Sequence, residues 1–243
     1  MSAVYIIGTD TDVGKTFVCA GLCWALREKG YNVGYFKPVL TGAIRSGSML
    51  IPQDTEFVVK FAKINEDVYK LTPFICEKPA SPHIAAGIEN KDIDVDRIKQ
   101  TFEDLSKNYE FIMIEGCGGL AVPLKEQNNQ FYMQYQLIKE LCNNVILVTT
   151  TKLGTINHTI LTVEFAKAYG LCLKGIIVNM YKNESDEDKV IKTIAEFTNI
   201  PILAKVDLIR GCVNCKDENK FKNVFEKCFN NDTIMKIMGV FEC

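Results

Sequence analysis

At 243 residues, with 47% hydrophobic and 24% charged residues, the chain has the makeup of a globular protein long enough for one sizeable α/β domain. That balance excludes collagen-like and disordered classes. A formal net charge of −2 leaves no basic footprint for a phosphate backbone, so nucleic acid is not an expected partner.

Taken in chain order, a strand pattern at 4–7 is followed by an amphipathic helix at 15–29 and a second strand at 33–36. A helix at 95–107 then precedes the strand 111–114, whose run FIMIE suits a central position buried on both faces. Helix 130–142, strand 145–149, helix 155–169, strand 175–178, helix 186–198 and strand 202–206 complete the alternation. This order predicts a single-domain α/β fold over 1–243, with a mostly parallel central sheet flanked by helices on both faces. Residues 210–243 form a C-terminal segment to which no role attaches. The chain enters its first strand without a basic, apolar leader, and no apolar run is long enough to span a bilayer. A cytoplasmic location without a membrane partner is expected.

Ten cysteines scatter through apparent helices and strands, which reads as reduced thiols rather than a disulfide framework. Cys212 and Cys215 have the two-residue spacing of a metal or redox pair. With Cys228 and Cys243, however, they do not make the spacing of a zinc knuckle, and free thiols are the simpler reading.

In a parallel sheet the ligand crevice lies beyond the carboxyl ends of the strands, so the residues there carry the functional signal. After the first strand stands GTDTDVGKT, from Gly8 to Thr16. A strand, a turn and a helix N-terminus in that order cradle phosphate with backbone N–H groups. Lys15 reaches the terminal phosphates and the Thr16 hydroxyl serves Mg²⁺. The spacing departs from GxxxxGK[ST], because the first glycine falls at Gly8 where that pattern puts Thr9. Asp10 and Asp12 are unusual beside an anion unless they face a metal or a cationic substrate, which points to an amine-bearing substrate.

Magnesium takes one or two carboxylates together with phosphates and water. Glu115, ending FIMIE before the glycine turn GCGG, is the first candidate; Asp54, opening a helical segment, is a metal ligand or an N-cap. Lys37 follows a strand and precedes a proline that sets its direction, so it enters the crevice or lies on the surface. His83 and His158 are the only histidines, too few for an imidazole-rich zinc site, and each reads as a hydrogen-bonded structural residue. The strand ends at TKLGTINH and at Asn179 complete the candidate positions.

With GTDTDVGKT, KPV at 37–39, ASPHIAA at 80–86, EGCGG at 115–119 and KLGTINH at 152–158 in this order, the chain resembles the dethiobiotin synthetase family over roughly residues 3–208. The resemblance implies a P-loop NTPase-like fold and closure of a ureido ring on 7,8-diaminononanoate with CO₂ and MgATP. In that reaction a carbamate on one amine attacks the γ-phosphate, giving a carbamic-phosphoric anhydride. The second amine then displaces phosphate.

By the same resemblance Lys37, Lys15 and Thr11 are catalytic, and Thr16, Asp54 and Glu115 hold Mg²⁺. Nucleotide contacts come from Asp12, Val13, Gly14, Lys15, Thr16 and Phe17, from Asp54, and from Glu115, Gly116, Cys117 and Gly118. Asn179 is implied to read the adenine ring, and Met180, Val206, Asp207 and Leu208 to lie along the nucleotide. Thr41, Lys37 and Asp12 meet the diamine or its carbamate. The backbone of Gly154, Thr155, Ile156 and Asn157 is implied to bind the substrate carboxylate across a homodimer interface. Asp12 stands where the family commonly has glutamate, Thr41 replaces serine, Cys117 replaces alanine and Asp207 stands where proline is frequent. Replacing Lys37 with alanine is expected to slow turnover by orders of magnitude while leaving the fold intact.

Two other readings share the fold. Nucleotide-switch ATPases of the partition or septum-positioning kind resemble one another in a lysine at the position of Asp10, which argues against that class. A domain related to cobyric acid synthases would be followed by a glutaminase-like cysteine and histidine set, which this chain does not supply.

Overall fold

The computed structural model describes residues 2–209 and 218–241. The chain opens with strand β1 (Ser2–Gly8), whose apolar run is buried from Ala3 onward, then helix α1 (Lys15–Glu28) and strand β2 (Val33–Phe36). Between β2 and the next central strand lies a long excursion. It comprises β3 (Val39–Leu40), the hairpin β4 (Ile44–Ser46) and β5 (Met49–Ile51), α2 (Gln53–Ala62), α3 (Val68–Leu71), β6 (Phe74–Ile75), α4 (Pro82–Ile88) and α5 (Val95–Ser106). Strand β7 (Phe111–Glu115) then leads into β8 (Pro123–Gln127), β9 (Gln130–Met133) and α6 (Gln134–Leu141). The chain continues through β10 (Asn144–Thr149), α7 (Thr155–Ala168), β11 (Cys172–Tyr181), α8 (Ser185–Thr198) and β12 (Ile202–Asp207). It closes with α9 (Glu218–Cys228) and α10 (Asn231–Phe241).

The central sheet has the order β12-β11-β10-β1-β7-β2, and every pairing in it is parallel. The six strands read from the sequence are these six. Their carboxyl ends therefore share one edge of the sheet, where β1, β7 and β2 deliver Gly8, Glu115 and Lys37 side by side.

One sequence expectation is corrected. Residues 130–133 are not the start of a helix but strand β9, paired antiparallel with β8. The two-residue connection Asn128–Asn129 has positive φ at both positions, 53° and 59°, as a type I′ hairpin turn requires. The helical stripe begins only at Gln134. A smaller correction concerns strand 175–178, which extends to Tyr181 through a register shift, so Asn179 lies inside β11.

The C-terminal helices also have a structural place. Phe225 of α9 is fully buried, its ring 4.9 Å from that of Phe17 and 6.0 Å from that of Trp24 on α1. Phe221 lies 5.7 Å from Phe57 and 4.8 Å from Phe61 on α2. One aromatic cluster thus ties α9 to the two helices that begin at the phosphate loop and at Asp54. Phe225→Ala is expected to destabilise the protein by about 3–5 kcal/mol, read as a lowered urea midpoint. A midpoint within error of wild type would show that α9 is not integral to the core.

The described cysteines are all free. Cys228 is buried in α9, while Cys212, Cys215 and Cys243 lie outside the described residues. Among the described residues no helix is long and apolar enough to cross a membrane.

Candidate active site

The phosphate loop explains its own irregular spacing. A Cβ placed on Gly8 would stand 2.7 Å from both the Asp10 carbonyl oxygen and Val13 Cγ2, so the loop closes too tightly for a side chain there. Neighbouring backbone anchors the turn: Gly8 N–H donates to Gly118 O at 3.3 Å and Thr9 N–H to Val148 O at 3.0 Å. The close approach that calls for glycine falls one residue earlier than the usual pattern places it.

Gly14 caps α1 in the left-handed region, at φ 85° and ψ 36°. Its missing Cβ is also required by contact, since it would collide with the side-chain amide of Asn179. That amide donates to Val13 O at 2.9 Å, bracing the loop from behind. Asp10 turns back on the loop and accepts from Thr11 N–H at 2.7 Å, whereas Asp12, at φ 60°, is exposed and lines the cavity. The two aspartates therefore do different things: one shapes the loop and the other faces the ligand space.

In front of the loop lies a cavity of about 740 Å³. It brings together Thr11, Asp12, Gly14, Lys15, Thr16, Lys37, Thr41, Asp54, Glu115, Gly116, Cys117 and Gly118, residues drawn from positions more than a hundred apart in the chain. Ser81 and Pro82 of ASPHIAA complete one wall. His83 supports that wall structurally, with Nδ1 3.3 Å from Pro123 O.

At the cavity floor Lys37 Nζ lies 2.5 Å from Asp54 Oδ2 and 2.6 Å from Glu115 Oε1. Thr16 Oγ1 donates to the same Glu115 oxygen at 2.8 Å, and Tyr35 OH donates to Oε2 at 2.7 Å. Burial alone would depress the Lys37 ammonium, but Glu115 and Asp54 outweigh it and hold the pKa above the ordinary lysine value. Lys15, also buried, has its pKa lowered by that burial, which Glu115 only partly offsets, and its Nζ donates to Asp10 O at 3.0 Å. Burial together with Glu115 pushes the Tyr35 phenol well above its usual value, so it remains a donor. Asp54 is not an N-cap: Pro52 occupies that position, and Asp54 sits in the first turn of α2.

Asp54 and Glu115 meet at the ammonium of Lys37, and Thr16 Oγ1 joins them through Glu115 Oε1, so the oxygens gather around one cationic point. Hard oxygen donors of this number suit Mg²⁺ completed by phosphates and water. Among the described residues no group of three or more His, Cys, Asp or Glu could hold a metal.

Burial drives the Cys117 thiol up to about 11, and its Sγ donates to Gln134 Oε1 at 3.2 Å, so this cysteine is no nucleophile at neutral pH. Gln134 was not apparent from the sequence. Its buried amide accepts from Cys117 N–H at 2.8 Å and donates to Gly119 O, fixing the glycine turn from both ends. Tyr35 was missed as well; its signal was a polar hydroxyl in an apolar strand two residues before Lys37.

The other expected residues do not line this cavity. Phe17 faces the aromatic cluster, and Val13 is buried with its carbonyl taken by Asn179. Met180, at φ 58°, lies in the irregular stretch of β11 beside Asn179. Val206 is buried in β12, Asp207 pairs with Lys227 of α9, and Leu208 N–H donates to Tyr181 O at 2.8 Å. Of these, Asn179 and Met180 border the phosphate loop at Gly14.

Gly154 caps α7 at φ 92°, Ile156 packs on the core and Asn157 is exposed. The Thr155 side chain is committed to Thr149 Oγ1 at 2.8 Å and Thr150 O at 2.9 Å, and its backbone N–H donates to Lys152 O at 3.0 Å.

A six-stranded parallel sheet with a lysine-bearing phosphate loop at its carboxyl edge defines a P-loop nucleotide-binding α/β protein, and a family model described as an AAA domain matches residues 2–216. The ATP-dependent dethiobiotin synthetase BioD of Caldicellulosiruptor bescii is 82% identical over 243 residues, all of both chains. That of Clostridium kluyveri is 40% identical over 235 residues, 97% of each. The chain belongs to the ATP-dependent dethiobiotin synthetase family. Among solved structures, the MinD cell division protein of Aquifex aeolicus is similar at a TM-score of 0.61 and 15% identity, covering 98% of this chain and 97% of that one. A ParA family ATPase from Chlorobium tepidum follows at 0.52 and 14%, covering 98% and 93%. At such identities these two likenesses show the fold alone, and the sequence relatives favour a synthetase over a nucleotide switch.

Proposed function

We propose that the chain closes the ureido ring of dethiobiotin on 7,8-diaminononanoate, using CO₂ and MgATP. The observation that carries this reading is the meeting of Lys15, Lys37, Thr16, Asp54 and Glu115 with exposed Asp12 in one cavity. Phosphate-binding and amine-binding chemistry thus stand side by side. Such a transfer needs positioning and charge neutralisation more than covalent help from the protein.

In this reading the loop N–H groups and Lys15 bind the β- and γ-phosphates. Thr16, Asp54 and Glu115 would hold Mg²⁺, which would supply charge neutralisation for the phosphates. Lys37 stabilises the carbamate and the transferring phosphoryl group, while Asp12, Thr11 and Thr41 orient the amines and the carbamate. Asn179, Met180 and Val206 to Leu208 serve the adenine side.

The substrate carboxylate goes to the backbone of Gly154 to Asn157 from a second copy, in a homodimer. Support for that dimer comes from Leu153 and Leu161, large apolar side chains left exposed at the start and along the length of α7. Residues 1–243 then act as one domain, with α9 bracing α1 and α2.

The test is phosphate release from MgATP and bicarbonate, with and without 7,8-diaminononanoate. Release that requires the diamine and matches dethiobiotin formed is expected. Release at the same rate without it would sink the synthetase reading and restore the nucleotide switch.

A further inference from the structure

Glu115 presents two carboxylate oxygens, and the cavity residues account for one. Thr16 Oγ1 and Lys37 Nζ both reach Oε1, at 2.8 and 2.6 Å. Oε2 receives instead the hydroxyl of Tyr35 at 2.7 Å, and both residues are 1% exposed. The parallel register sets Tyr35 opposite Met113 and Phe36 opposite Ile114, so β2 runs alongside the strand that ends in Glu115. Two residues apart, Tyr35 and Lys37 bring donors to the two different oxygens of one carboxylate.

A buried carboxylate with one unserved oxygen turns toward whatever donor it can find, because an acceptor left dry in the interior is unfavourable. Tyr35 removes that option by holding Oε2 on the core side. We infer that Tyr35 is a positioning residue, clamping Glu115 so that Oε1 stays directed at the cation point shared with Thr16 and Asp54. This rests on the reading that Glu115 serves a nucleotide-bound divalent cation. Partners of metal-binding carboxylates typically alter metal affinity 10–100-fold when removed.

Tyr35→Phe keeps the ring and deletes the one bond. The probe is Mn²⁺, titrated into the ADP-bound enzyme and followed by electron paramagnetic resonance, with ADP affinity measured separately in EDTA. Mn²⁺ binding weakened about tenfold or more is expected. ADP affinity in EDTA should stay unchanged, and turnover lost at low Mg²⁺ should return at high Mg²⁺. Mn²⁺ affinity within twofold of wild type would overturn the assignment. So would a parallel fall in ADP affinity in EDTA, which marks a general disturbance of the pocket.

Where loss of the bond to the buried carboxylate destabilises Tyr35→Phe, Glu115→Gln is compared with the Tyr35→Phe, Glu115→Gln double variant, in which no buried charge is left short of a donor. Equal Mn²⁺ affinity in those two supports the clamp, and a further fall in the double variant overturns it. The Mn²⁺ and ADP titrations need no diamine, so their outcome is separate from that of the synthetase assay.

Discussion

Lys37→Ala lowers diamine-dependent turnover about 10³-fold, the loss expected when a buried charge aimed at a transferring group is removed. Lys37 lines the cavity with its ammonium against Asp54 and Glu115, so the effect belongs in kcat rather than in ATP affinity alone. Stability responds as well. Removing the lysine leaves Glu115 buried without its cation, a change that typically costs roughly 3–5 kcal/mol when a buried pair is broken. Thr16 and Tyr35 still donate to Glu115, and Asp54 is one-third exposed, so the variant folds with a lower urea midpoint.

The folded-state pKa of Lys37 lies above the ordinary lysine value. Its stabilisation is therefore complete below a pH of about 10 and fades only as pH rises through the elevated value. A pH change between 5 and 9 should leave this contribution unchanged. Turnover within tenfold of wild type would remove Lys37 from the reacting centre.

Gly14→Ala weakens ATP binding about 10²-fold, the loss of one or two backbone hydrogen bonds to a charged phosphate at roughly 1.5–3 kcal/mol each. Two effects combine here. The left-handed φ of 85° costs a side chain about 1–2 kcal/mol. The new methyl would also push the Asn179 amide away from Val13 O, the bond that braces the loop.

Gly30→Ala separates the two, because Gly30 has nearly the same φ, 86°, with nothing within 4 Å of a built Cβ. It should carry the conformational cost alone, seen as a lower melting temperature with ATP affinity preserved. Isothermal titration with ATP on both variants is the measurement. Equal affinity loss in the two would show that the collision with Asn179 is irrelevant.

Much of the site was legible because phosphate chemistry needs neighbouring residues. GTDTDVGKT supplies glycine, lysine and hydroxyl within one turn, and Lys37 and Glu115 each follow an apolar run that could only be a buried strand. The central strands were legible for the same reason, since a strand covered on both faces is apolar throughout. The hairpin of β8 and β9 was not, although Asn128–Asn129 between alternating residues is a turn signal, because its second strand abuts a true helix. Reading on from Gln134, the helical stripe absorbed residues 130–133.

By itself the sequence determined the parallel sheet, the phosphate loop and which strand ends carry chemistry, since each depends on residues adjacent in the chain. Only the tertiary structure decided that Lys37 sits between Asp54 and Glu115, that Tyr35 and Gln134 support the site, and that Gly8 answers to Val13. The first two depend on strand register and helix placement across long separations, and the last on how tightly a turn closes. Neither quantity leaves a periodic trace in the order of residues.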